Sequence, residues 1–191
     1  MKFNDLLTLG RQFVPWKELD HPQYGRIEVG GERHDVGRVP EGWMLEQEVH
    51  RNNAFILFHA RQLPKLSFGE PEVTRLGPAQ GGLWRLELPV LNDAGIPTVT
   101  ALAQKNKLHR DDVATVAGAR VVASGVVDDP WLDKVRLQEH RPERLMVGGV
   151  DSYSTRRLFF LLEGSGEVTV TYDSVKGGKI ERTVRLSASA E

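Results

Sequence analysis

From Leu66 onward the hydrophobic positions recur every second residue. Trp84, Leu86, Leu88 and Val90 alternate with Arg85, Glu87 and Pro89. Val168, Val170 and Tyr172 alternate with Thr169 and Thr171, and Ile180, Val184 and Leu186 with charged or polar neighbours. A period of two places one set of side chains on a buried face and the other in water, which is the pattern of a β-strand. Further strands are predicted at 72–76, 98–105, 119–123, 134–139 and 157–162. Turn formers separate them at 92–95, 128–130, 148–149, 164–166 and 177–178. The run Leu158, Phe159, Phe160, Leu161, Leu162 does not alternate, which predicts a central strand covered on both faces.

The first third is patterned differently. Residues 13–39 are dense in turn formers (Pro15, Asp20, Pro22, Gly25, Gly30, Gly31, Gly37), and predict a wrapping loop with one short strand at 26–29. Residues 43–63 then carry Leu45, Val49, Ile56, Ala60 and Leu63 at helical spacings, with Glu46, Gln47, Glu48, Arg51 and Arg61 between them. That stripe predicts an amphipathic helix, with Glu46 and Glu48 near its positive end and Pro64 stopping it. The expected organisation is therefore a loop and helix over 1–63, a β domain over 64–187 and a tail at 188–191. Many short strands without intervening helices predict a mainly β fold, an immunoglobulin-like antiparallel β-sandwich.

Charge and composition narrow the function classes. The 25 basic and 26 acidic residues nearly cancel, and a cut after Leu63 leaves 8 basic against 9 acidic before it and 17 against 17 after it. Nucleic-acid binding is disfavoured, because phosphate neutralisation calls for a basic excess or stripe. With no cysteine there is neither disulfide nor thiol chemistry. No segment approaches the ~20 apolar residues that span a bilayer, so no membrane partner is expected; residues 1–10 lack the apolar core of a signal peptide, and the compartment stays open.

Candidate chemistry is sparse. His50 and His59 share the predicted helix, but nine residues at 100° each put them on opposite faces. His140 and Glu143 form an H-x-x-E, the spacing of two zinc ligands, with Pro142 inside it and no later histidine to complete a set. Asp20, His21, Glu32, His34 and Asp35 cluster ligand types that also serve as turn residues. Asp111 with Asp112 and Asp128 with Asp129 lack regular calcium-loop spacing. Lys105, Lys107, His109 and Arg110 make a local basic run. No G-x-S-x-G occurs, Gly164-Ser165-Gly166 reads as a turn, and neither Gly30-Gly31 nor Gly81-Gly82 continues into a phosphate loop. No catalytic, metal or cofactor residue is assigned.

The stretch FVPWKELDHPQYGRIEVGG at 13–31 resembles a segment just downstream of the catalytic domain in a prokaryotic branch of the carboxypeptidase A-like zinc metallocarboxypeptidases, of the form F-x-P-W-K-x-x-D-H-P-Q-x-G-x-V-E-I-G-G. Residues 40–63 are similar to that family's post-catalytic helix, NDAGIPT at 92–98 to a turn of its β domain, and 172–186 to its closing hairpin. The resemblance implies a non-catalytic C-terminal accessory region of such a peptidase, with zinc held in a catalytic domain in cis or trans. It implies structural roles for Trp16, Asp20, His21, Pro22 and Tyr24. No position here matches a zinc ligand or the catalytic glutamate, so the chain is expected not to be an enzyme by itself. Apolar residues left uncovered without that domain would promote self-association. Two other readings stand beside it: a free-standing module binding a protein or glycan through loops 105–112 and 128–132, and an enzyme built on His140 with Glu143 or on His21 and His34.

Overall fold

The computed structural model describes residues 2–34, 36, 38–77 and 82–187. Asp35, Gly37, Gly81 and the tail at 188–191 lie outside the described residues. The chain divides into two compact units, Met1–Leu57 and Phe58–Glu191.

The first unit holds α1 (Lys2–Leu6), β1 (Phe13–His21), β2 (Gly25–Glu32) and most of α2 (Gly42–Ala60). The expected wrapping loop with one strand at 26–29 is therefore corrected to an antiparallel hairpin of two long strands. The residues that suggested a loop are the ones that shape the hairpin. Pro15 and Trp16 occupy a register shift between Val14 and Lys17, where proline's missing N–H is tolerated. Gly30 is needed because a Cβ there would lie 2.6 Å from the Trp16 backbone. His21 closes the turn by accepting the N–H groups of Gln23 and Tyr24 on Nδ1 at 3.1 and 3.3 Å. Helix α2 ends at Ala60, three residues before the expected limit, in a tightened turn where Leu63 N–H reaches the Ala60 carbonyl.

The second unit is a β-sandwich. One sheet has the order β3 (Leu66–Phe68), β5 (Leu83–Asn92), β10 (Ser154–Glu163), β7 (Arg120–Asp129) and β8 (Lys134–Leu137), and β4 (Glu72–Arg75) also pairs with β5. The other has the order β12 (Gly178–Leu186), β11 (Gly166–Ser174), β6 (Val113–Ala117) and β9 (Arg144–Met146). All of these pairings are antiparallel. The orders β3-β5-β10-β7 and β12-β11-β6 reproduce the A-B-E-D and G-F-C sheets of the constant-type immunoglobulin fold, with β8 and β9 added at edges.

The core is built from the alternating residues predicted for it. Trp84, Leu86, Leu88 and Val90 of β5 meet Val168, Val170 and Tyr172 of β11 and Val184 and Leu186 of β12 across the layer. Leu158, Phe160 and Leu162 of central strand β10 join them. Phe159 and Leu161, on the outer face, are only half-buried, and the Arg85 guanidinium lies 5.3 Å from the Phe159 ring centre. The continuous apolar run thus has one fully buried face and one sheltered by charged side chains.

Three expectations are corrected here. The strand predicted at 98–105 is in part a helix, α3 (Ala101–Asn106). Thr100 caps it by accepting the Ala103 N–H at 3.3 Å, and Lys107 ends it in the left-handed conformation. Strand β7 runs on to Asp129, well past the predicted residue 123. Gly125 in its middle reads as an interruption, yet it permits close approach of β8: a Cβ would lie 2.6 Å from the Arg136 carbonyl oxygen. Strands β6 and β9 were not expected. The first is made of small residues, Val-Ala-Thr-Val-Ala, and the second is three residues long.

The registers fix which connections share an end of the sandwich. Asn92 at the close of β5 pairs with Ser154 at the start of β10 and with Leu66 at the start of β3. Val127 near the close of β7 pairs with Arg157, and Asp173 near the close of β11 with Val113 at the start of β6. Connections 93–112, 130–133, 147–153 and 175–177 therefore gather at one end, where β3 also begins. At the opposite end lie the tight turns Gly118-Ala119 and Gly164-Ser165.

Candidate interaction surface

Several residues singled out for metal chemistry serve other ends. Among the described residues no group of three or more His, Asp or Glu is placed to hold a metal ion. His21 closes the hairpin turn and its ring meets that of Tyr24 at a tilt, with ring centres 4.9 Å apart. Asp20 faces Arg26 across the hairpin. His140 lies in the β8–β9 connection, where the Gln138 side-chain amide donates to the carbonyls of His140, Arg141 and Arg144 at 2.7 to 2.9 Å and accepts from Met146 N–H at 2.8 Å. That amide organises the H-x-x-E loop, a role the sequence reading missed.

Three of the four residues in the acidic pairs are likewise occupied. Asp128 is ion-paired with Arg136. Asp129 Oδ1 accepts the N–H groups of Trp131 and Leu132 at 2.9 and 3.2 Å. Asp112 is fully buried and accepts from the Tyr172 hydroxyl at 2.9 Å. Burial first, and the Asp112 carboxylate second, push the Tyr172 phenol far above its ordinary value. In the basic run, Lys107 caps α3 and Arg110 pairs with Asp173 at 2.8 Å. On the outer face of the larger sheet, Glu87 is buried between Arg85 and Arg157, and Arg85 also grips Asp133. That bond from Arg85 holds the Asp133 carboxyl below its usual range.

What the geometry leaves open is apolar surface. In the first unit Phe13, Val14, Trp16, Leu19 and Val29 of the hairpin are exposed, and so are Trp43, Leu45, Val49 and Ile56 on α2. No residue of α2 is buried. A two-stranded ribbon and a helix that bury no apolar stripe gain little from the hydrophobic effect, which ordinarily stabilises such elements. Exposed apolar surface of this extent is a place to look for an interaction site.

The second unit carries its own patch. At the long-loop end Leu102, Leu108, Trp131, Leu132, Tyr153 and Val175 are all exposed, with Trp131 at 94% and Leu132 at 77%. The turns at the other end are made of Gly118, Ala119, Gly164 and Ser165. The loop 128–132 was a candidate for recognition. Its Trp-Leu pair between aspartates was the available signal.

A protein-family model described as a domain of unknown function (DUF8731) matches residues 65–185. No curated protein matches the chain.

Proposed function

Since the chain belongs to the DUF8731 family through its sandwich, we propose that it is a non-catalytic accessory region whose first sixty residues dock on the catalytic domain of a zinc carboxypeptidase-like peptidase. One observation carries this reading: Phe13, Val14, Trp16, Leu19, Trp43, Leu45 and Val49 form ordered elements whose apolar side chains stand in solvent. The resemblance of residues 13–31 to a post-catalytic segment supplies the kind of partner. The sandwich would then stabilise that domain or meet its substrate and partners, and zinc would belong to the catalytic domain. On this reading the chain performs no peptide hydrolysis by itself.

The family match begins at residue 65 and leaves the first unit outside it. That boundary favours a second reading, in which the sandwich is a self-sufficient module binding a protein or glycan through loops 105–112 and 128–132. Native size separates the two. An extract of the source organism is probed with an antibody raised against the sandwich. The peptidase reading expects a band well above 21.4 kDa, or a stable complex with a peptidase. A lone 21.4 kDa species without a peptidase partner sinks it and gives the lead to the module.

A further inference from the structure

We propose that the outer face of the smaller sheet binds the carboxylate of an acidic sugar, in a hollow of about 260 Å³ built around Arg144. The registers put Arg144 of β9 opposite Thr115 of β6, Thr115 opposite Thr171 of β11, and Thr171 opposite Glu181 of β12. These four residues make one row across the sheet. The next row on the same face, two residues along each strand, carries Val113, Asp173 and Lys179. Arg110, bonded to Asp173, completes the lining.

Ion pairing singles out one anchor in this hollow. Arg110 is paired with Asp173 and Lys179 with Glu181, each at 2.8 Å, so those four charges cancel. Among the described residues the Arg144 guanidinium has no ion-pair partner, and the Thr115 hydroxyl on the strand opposite has no hydrogen bond. The hollow therefore carries a single uncompensated positive charge beside an open hydroxyl. Arg144 is also held in place. Its N–H donates to the Arg141 carbonyl, its carbonyl accepts from the Gln138 side-chain amide, and that amide accepts the Met146 N–H. The three-residue strand β9 is thereby fixed on its open edge as well as against β6, and a binding group on a fixed backbone loses less freedom when it is engaged.

These features select the ligand. A guanidinium fork pairs with both oxygens of a carboxylate, and one free positive charge suits a monoanion. A doubly charged phosphate ester would bring its second charge up to the Asp173 and Glu181 carboxylates. A peptide docking on a sheet lays its main chain along an open edge, but Gln138 already holds the Arg144 carbonyl and the Met146 N–H that such a strand would pair with. A sugar acid needs no edge. Its carboxylate meets Arg144 on the open face, and its hydroxyls, each both donor and acceptor, suit Thr115, Thr171 and Asp173. The site shares only Arg110 with loop 105–112 and takes nothing from 128–132, so it is distinct from the recognition loops and stands whether or not the first unit docks.

The test is an NMR titration of the isotope-labelled 191-residue chain that follows the Arg144 side-chain Nε–H and the Thr115 and Thr171 amides. The probes are the methyl glycosides of glucuronic, galacturonic and mannuronic acid, each beside its neutral parent methyl glycoside. We expect at least one uronide to shift these signals saturably and its neutral counterpart to bind at least about tenfold more weakly, the size of one charge-assisted contact. Arg144→Gln should lose a similar factor while the rest of its spectrum stays that of the wild type, because Arg144 is exposed. Absence of saturable shifts with all three uronides overturns the proposal, and so does undiminished binding by Arg144→Gln. Tighter binding of N-acetylglycine than of any uronide overturns it in favour of a peptide carboxylate. Tighter binding of inorganic sulfate overturns it in favour of a simple anion site.

Discussion

The Tyr172–Asp112 pair concentrates the electrostatic stakes of the sandwich in one contact. Asp112 is fully buried, its Oδ2 is held by the tyrosine hydroxyl, and its Oδ1 has no partner among the described residues. Tyr172→Phe keeps the ring and removes the donor, so it should cost about 1–3 kcal/mol, the penalty of a buried acceptor left unpaired. Urea denaturation of both proteins at pH 7 checks this. The pH arm has a definite sign. A phenol raised in the folded state contributes stability that is complete below its unfolded value, about 10, and is lost as pH rises through the folded value. The wild type should therefore lose stability above about pH 10 through this group, while Tyr172→Phe lacks that component. Such a contact was not legible in the chain. Alternation placed Tyr172 on the buried face, but no local pattern says that Asp112, 60 residues away, turns inward while Asp111 does not.

Elements were legible where one face is buried and neighbours alternate, as in β5, β11 and β12, or where an unbroken apolar run marks a central strand, as in β10. They were illegible where shape rather than hydrophobicity decides. Glycine and proline between 13 and 31 read as loop, because the sequence does not say that Pro15 sits at a register shift or that Gly30 passes beside Trp16. In 98–105 the residues Ala101 to Lys105 are good helix formers, and the preceding Thr98 and Val99 obscured the cap at Thr100. The β6–β7 turn offers a test of shape at this scale. Gly118 has φ +96°, and a Cβ there would lie 2.6 Å from the Glu167 carbonyl oxygen of β11. Gly118→Ala should destabilise by about 1–3 kcal/mol, the range for strained backbone positions. Thermal unfolding checks it, and a change at Gly178 is a fitting comparison: φ is again positive at +75°, but nothing lies within 4 Å. The Gly178→Ala loss should be the smaller of the two, since only the conformational part remains.

At the scale of the molecule the two units differ in how they are held together. The sandwich has a continuous apolar core, whereas the hairpin and α2 present their apolar residues outward. If those residues await a partner, the purified chain should associate with itself. Sedimentation velocity should show a weight-average mass rising above 21.4 kDa with concentration, and Trp16→Ser with Trp43→Ser should bring it back toward the monomer. A monodisperse monomer at high concentration would count against docking. The candidate surface was half visible in the sequence. The stripe on 43–63 announced an apolar face, but a stripe alone does not reveal whether the rest of the chain covers it.

The sandwich also governs distance. Chain enters at Leu66 beside the long connections and leaves at Leu186, at the pole of the short turns, since β12 starts at Gly178 opposite Ser174 and runs the other way along nine residues. At about 3.3 Å per residue those poles stand ~30 Å apart. The domain thus sets a distance as well as a surface. A partner bound at the long-loop pole would be held about one strand length from anything joined beyond Leu186, and lengthening the 130–133 connection would leave that reach unchanged.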